Sequence, residues 1–429
     1  MNLARSIAVS SIAFIVGCSS SSSDHSGAAD SGATGGASET GGTSGSGGAS
    51  TGGNGGASTG GSATLTGGSG GTHPSTGGAN AGGTNAGGAS SGGENSGGAG
   101  GVSPPTGAWT NVTANLANMA SECGNLSHLS AKPDEDVLIA GIAQKGLWAS
   151  TDGGGSWHQL GTGAGSDTIT NRTSSFLFDP EHPSQYWESG IYNAGGVYLT
   201  TDDGATFHAL GTVHHDDLIS VDFTDPNRKT MLAGGHEQTQ TLYRSTDGGA
   251  TWDNVGTNLP SGTNFSSFPL VIDSETHLVG LSGYAGGTSG VFRTTDGGKT
   301  WAQVTSSGGY GAPLWAKNGD IYWASSDGMA KSTDQGAHFT DIAANGQLKT
   351  TAPIELPDGR IATVGSQSIM VSSDGATTWQ SASTALPYGD ATGLTYSTQR
   401  KAFFIWHFSC NNNVPTDAIM RFDFDYTKN

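Results

Sequence analysis

Charge is scarce in this chain. Only 12% of its 429 residues are Asp, Glu, Lys or Arg, and 36 acids face 17 bases, for a net charge of −19. Residues 106–429 alone carry 32 acids and 16 bases. Such a balance excludes the basic surface that nucleic acid requires, opposes anionic membranes, and repels polyanionic glycans unless a local basic site overcomes the field. Cysteine is rarer still, with three residues in all. Long hydrophobic runs are missing too. The best, Ile7–Val16, is too short to cross a bilayer and reads as the core of a secretion signal behind Arg5.

That run ends in Ile15-Val16-Gly17-Cys18, which resembles a bacterial lipobox. The resemblance implies removal of residues 1–17 and lipid on the Cys18 sulfur. Ser19 in the next position favours the outer membrane, with the remainder in the periplasm or at the cell surface. Residues 18–105 are almost entirely Gly, Ser, Ala, Thr and Asn and hold too little apolar surface to fold. They predict a tether with a reach of roughly 50 Å for about 87 residues. The folded part is expected in 106–429.

That part repeats one phrase, Ser/Thr-x-Asp-x-Gly-x-Ser/Thr-Trp/Phe, around Asp152, Asp202, Asp247, Asp296, Asp334 and Asp374. The aspartates lie 50, 45, 49, 38 and 40 residues apart, a period of stacked supersecondary units. The carboxylate can accept backbone N–H groups of its own turn, the glycine supplies positive φ, and the aromatic can tuck between strands. Apolar alternation on both sides makes each copy a strand, a tight turn and a strand. The sixth copy has Ala376 where the glycine belongs. Each copy has too few carboxylates for a calcium loop, so all six are read as structural. The phrase resembles the Asp-box (BNR) repeat of sialidases, xyloglucan-specific endoglucanases, sortilin-type receptors and a photosystem II assembly factor. That resemblance implies a β-propeller, with the box joining the third and fourth strands of each blade.

Boxes count six blades, but a second signal counts seven. Polar hairpins recur at Pro133-Asp134, Asp179-Pro180, Asp225-Pro226, Asp273-Ser274, Asn318-Gly319, Asp358-Gly359 and Thr398-Gln399. The seventh unit lacks a box and runs out of chain, while Trp109–Val112 mimics a strand that follows a box. The N-terminal strand is therefore expected to complete the last blade and remove open edges; six blades are the alternative. Closure would bring Cys123 and Cys410 together. With Cys18 assigned to lipid and an oxidising compartment outside, those two are predicted to pair.

Connections in a four-stranded blade alternate between two faces. Boxes and hairpins share one, and blade crossings and second-to-third-strand loops share the other, where propellers usually carry their function. On that face Arg172, Tyr192, His214, His215, Asp216, His236 and Glu237 form the densest polar grouping. A His/Tyr pair beside Arg172 suits abstraction of a sugar C5 proton with neutralisation of the uronate. Asp216 and Glu237 suit acid and base roles in glycoside hydrolysis. His214, His215, His236 and Asp216 suit a transition metal, although no motif such as His-Glu-x-x-His is present. Ordinary polar loop groups are the plain alternative. Tyr192, Tyr284 and Tyr310 would serve as an aromatic platform for a glycan.

Sialidases clamp their substrate with three arginines, the first in an Arg-Ile-Pro motif. Here that tripeptide is missing, no arginine lies between Arg5 and Arg172, and Arg228, Arg244, Arg293, Arg360 and Arg400 fall at or near the hairpin and box face. Xyloglucanases resemble two propellers, and this chain has residues for one; sortilin-like receptors are larger and add cysteine-rich modules that are missing here. The sequence thus predicts an all-β, single seven-bladed propeller, monomeric and lipid-anchored, recognising an extracellular glycan ahead of a protein ligand. A polysaccharide lyase or non-sialidase hydrolase is the alternative, and an envelope assembly scaffold a third. No metal or other cofactor is assigned.

Overall fold

A computed structural model describes residues 105–161, 169–262, 266–282 and 287–428. They form seven four-stranded antiparallel sheets, one per blade. Six blades take four consecutive strands each. The seventh takes Gly393–Ser397, Ala402–Trp406 and Ile419–Asp423 from the C-terminus and Thr110–Asn111 from the start, with Thr110 opposite Arg421. This is the seven-bladed propeller closed by its N-terminal strand, and it excludes six blades.

First strands of most successive blades touch, and most are buried on both faces, whereas Ile354–Glu355 of blade 6 is only half-buried. Asp216–Val221 in blade 3 and Ser266–Val271 in blade 4 are buried along their whole lengths. Second strands supply the bulk between blades, with Trp187, Trp323 and Trp406 fully buried. Five of the seven fourth strands are two-residue pairs such as His158–Gln159 and Asp253–Asn254, exposed at the rim.

Each box closes on itself. The Ser/Thr hydroxyl donates to the Asp two residues on at 2.7–2.9 Å. The same oxygen accepts the N–H of the glycine position at 2.8–3.0 Å. The Asp accepts the N–H four residues on at 2.9 Å. Ala376 obeys the same pattern at φ +72°, so the bonds hold a residue with a Cβ in a glycine conformation. The aromatic does more than staple its own hairpin. Trp157 Nε1 donates to Val112 O at 3.1 Å and Trp252 Nε1 to Leu210 O at 3.1 Å, each reaching the preceding blade.

The predicted disulfide does not form: Cys123 is a free thiol. Closure does bring the two segments together, but backbone and amide groups join them. Gly124 N donates to Ser409 O at 2.9 Å, and Asn125 Nδ2 lies 2.6–3.1 Å from the carbonyls of Ser409, Asn411 and Asn413. Neighbouring backbones alone do not make a disulfide, which needs a specific side-chain geometry. Cys18 and its lipobox lie outside the described residues, as does Tyr284.

Candidate functional site on the blade-crossing face

Bulges place the site. In the first strands of blades 1, 2 and 3 the pairing slips by one residue, leaving Ser127, Ser174 and Asp217 as the extra residue. A bulge re-aims the side chain it inserts. Ser174 Oγ donates toward Ser189 O and Asp216 O, tying blade 2 to blade 3. In blade 3 the inserted residue is an acid, and it reaches a histidine.

Asp217 Oδ1 lies 2.9 Å from His236 Nδ1, with both side chains about 95% buried. On the other side of the ring, His236 Nε2 lies 3.3 Å from the Tyr192 hydroxyl and 3.9 Å from Glu237 Oε1. Burial pulls the His236 pKa down, but Asp217 outweighs it and the net shift is upward. Burial, then the Glu237 charge, pushes Tyr192 up to about 12. With His236 neutral, Nδ1–H donates to Asp217 and Nε2 accepts the tyrosine proton. With His236 charged, Nε2–H donates to the tyrosine oxygen, and the phenol proton is free to turn toward Glu237.

The Tyr192 backbone fixes a second histidine. Its N–H donates to His215 Nδ1 at 3.0 Å, which leaves the His215 proton on Nε2. Burial, then the charge of His236, lowers His215 to about 4, so it stays neutral at ordinary pH. The rings of Tyr192, His215 and His236 meet edge to face with centroids 4.8–5.4 Å apart. Arg172 lays its guanidinium 4.5 Å from the Tyr192 ring centre and donates from Nε to Glu122 Oε1 at 3.0 Å. Glu122 also accepts from Asn193 Nδ2 at 2.5 Å and Gln144 Nε2 at 3.0 Å. Tyr192, His215 and Glu237 adopt left-handed φ of 56°, 64° and 51°. Such conformations are costly for residues with a side chain and collect at sites where the surroundings impose them.

The structure thus brings together five of the seven expected residues: Arg172, Tyr192, His215, His236 and Glu237. His214 is exposed and lends only its carbonyl, 3.4 Å from Gln238 Nε2. Asp216 is fully buried, and neither carboxylate oxygen has a partner; burial, then Asp217, drives its pKa well above the usual range. Asp216 is sealed inside the blade while Glu237 is exposed, so the structure does not bring the expected hydrolytic pair together. Tyr310 is half-buried against the core of blade 5 rather than standing as a platform.

A metal fits poorly. Ligand atoms of His215, His236 and Glu237 lie within 4.8 Å of one another. However, His215 has committed Nδ1 to the Tyr192 N–H, so its Nε2 carries a proton and cannot ligate. Two donors remain, one fewer than a three-ligand catalytic site needs.

Asp217 and Glu122 escaped sequence reasoning. The Asp216-Asp217 doublet was visible, but alternation selects one acid and the bulge selects the other. Glu122 precedes the first blade and no motif marks it. A further group on this face was also missed: His407 stacks on Tyr388 with centroids 4.1 Å apart, between Asp390 at 3.2 Å and Asp417 at 3.3 Å. It borders a cleft of about 300 Å³ lined by Lys349, Asp390, Thr392 and Phe408.

No protein-family model matches the sequence, and no curated protein matches it. Solved structures do. The GH74 enzyme of Niastella koreensis is 18% identical over 65% of this chain and 53% of its own, with a TM-score of 0.38. An ancestral GH74 enzyme is 14% identical over 74% and 47%, with a TM-score of 0.47. A structure of YCF48 bound to a D1 peptide is 14% identical over 75% and 99%, with a TM-score of 0.48. The chain spans about half the length of the GH74 structures it matches. Its blade count rests on its own strand pairing.

Proposed function

We propose that this propeller recognises a carbohydrate outside the cytoplasm, on the blade-crossing face around Tyr192, while Cys18 and the low-complexity segment hold it to the outer membrane. One observation carries the reading: side chains from four separate segments converge there with donors still open. Among the described residues, neither Nη of Arg172 nor Nε2–H of His215 has a hydrogen-bond partner. Both stand beside an aromatic ring. Sugars offer that combination of needs, with hydroxyl or carboxylate oxygens along an apolar ring face.

The test is retention of the whole chain on a panel of immobilised neutral and uronate-bearing polysaccharides. Replacing Arg172 by Ala is expected to weaken retention at least tenfold with an unchanged denaturation midpoint. Equal retention by parent and variant, or no retention of the parent on any member, refutes the reading.

A further inference from the structure

The group at the tip of this site is a phenol, and its proton has a path inward. Tyr192 O–H meets His236 Nε2, and His236 Nδ1 meets the buried Asp217. Hydrolysis by a carboxyl pair needs two acids facing the sugar, whereas here Asp216 and Asp217 are buried, half-buried Glu122 is taken up by Arg172, Asn193 and Gln144, and Glu237 is the exposed acid. Chemistry that needs one base, one acid and a neutralised carboxylate fits what is present. Resting on the carbohydrate reading above, we propose that Tyr192 is the catalytic acid–base of a β-elimination that cleaves a uronate-bearing polysaccharide. His236 and Asp217 are the positioning pair that takes up and returns its proton.

The step balances without a co-reactant. Tyr192 passes its proton to His236, and the phenolate oxygen removes the proton on C5 of the uronate. The electron pair forms the C4=C5 double bond, and the C4–O glycosidic bond breaks. The departing oxygen takes the proton from Tyr192, and His236 restores the phenol. Open N–H groups of Arg172 and His215 face the uronate carboxylate, lowering the cost of the carbanion-like state. Arg172 over the ring also favours the phenolate. Its place is set from outside the blades: Glu122 grips Nε, and Gly124 packs against the same side chain.

Charge narrows the substrate. A chain of −19 repels a dense polyuronate, whereas one cationic site can hold one carboxylate. The fitting polymer therefore carries isolated 4-linked uronates between neutral sugars.

Incubation of the whole chain with gellan and with rhamnogalacturonan backbone, whose uronates are spaced by neutral sugars, is the experiment. Polygalacturonate and xyloglucan are the dense and neutral comparisons. Expected is the ultraviolet absorption of an unsaturated uronate, one per new reducing end, on a spaced polymer and weakly or not at all on the comparisons. Tyr192→Phe should cut the rate at least 100-fold while keeping retention and the denaturation midpoint. His236→Gln should lower kcat more than it raises KM and change the limb of the pH profile that reports His236. New reducing ends without the absorption mean hydrolysis and overturn the proposal. Retention without turnover on either spaced polymer overturns it but leaves carbohydrate recognition standing. Neither retention nor turnover on any polymer removes both.

Discussion

Carboxylates on the two faces of the ring behave in opposite ways. On the box face six aspartates point into their own turns, exposed and held by groups two and four residues away. Local hydrogen bonds lower all six, to about 2 for Asp152, Asp247, Asp334 and Asp374. On the crossing face, acids are few and their partners come from distant segments. Glu122 and Arg172 are 50 residues apart, and Asp217 works through a buried histidine. Repetition therefore marks the frame. What departs from repetition, an acid at the bulge where blades 1 and 2 carry Ser127 and Ser174, and left-handed backbone at Tyr192, His215 and Glu237, marks the site.

That contrast can be broken from either side. The largest effect is expected at a hairpin-face tie between blades 2 and 3. Arg228 grips Asp179 through Nε and Nη2 at 2.8 and 3.0 Å, with both side chains nearly sealed from solvent. Arg228→Met strands a buried carboxylate and should cost about 3–5 kcal/mol in urea unfolding, leaving glycan affinity of the folded fraction unchanged. A box is expected to yield less. Ser245→Ala removes the acceptor of the buried Gly249 N–H and should cost about 1–3 kcal/mol, again without changing affinity.

Acid should loosen the ring through His128, sealed between Phe176 and Trp406 with neither nitrogen partnered. Burial lowers its pKa from 6.5 to about 3. The unfolded chain thus binds a proton that the folded one refuses, and stability falls as pH drops from 6.5 toward 3, by on the order of 1 kcal/mol per pH unit. His128→Leu should flatten that slope and hold or raise stability at pH 7. Glu188 acts in the other direction. Burial raises it to about 8 against the pull of Thr173 and Asn171, so its contribution is lost between pH 4.5 and 8 as the unfolded carboxyl ionises first. Glu188→Gln should remove this alkaline loss in urea titrations from pH 5 to 8. The smallest change is expected at Ala376→Gly, where relief of a left-handed φ offsets a lost buried methyl, leaving a net shift within about 1 kcal/mol.

Much of the frame was legible because it is periodic. Hairpins such as Asp225-Pro226 counted the blades, and Trp109–Val112 revealed the closing strand by its likeness to strands after boxes. The site was legible in outline, since the alternation of loops places Tyr192, His215 and His236 on one face without any knowledge of distances. Its inner half was not. A one-residue bulge exchanges Asp216 for Asp217, and no pattern in the chain announces a bulge. Glu122 reaches Arg172 only once the ring is closed. Cys123 and Cys410 show the converse limit: closure correctly predicts neighbouring segments, but neighbouring segments do not by themselves select which cysteines pair.

The central claim is that the crossing face binds and the boxes hold. Titration of one retained polysaccharide into the Arg172→Ala and Ser245→Ala chains, side by side with the parent, tests it most directly. The account predicts a Kd at least tenfold weaker for Arg172→Ala and a parental Kd for Ser245→Ala despite its lower stability. A parental Kd for Arg172→Ala with weakened binding by Ser245→Ala would contradict it.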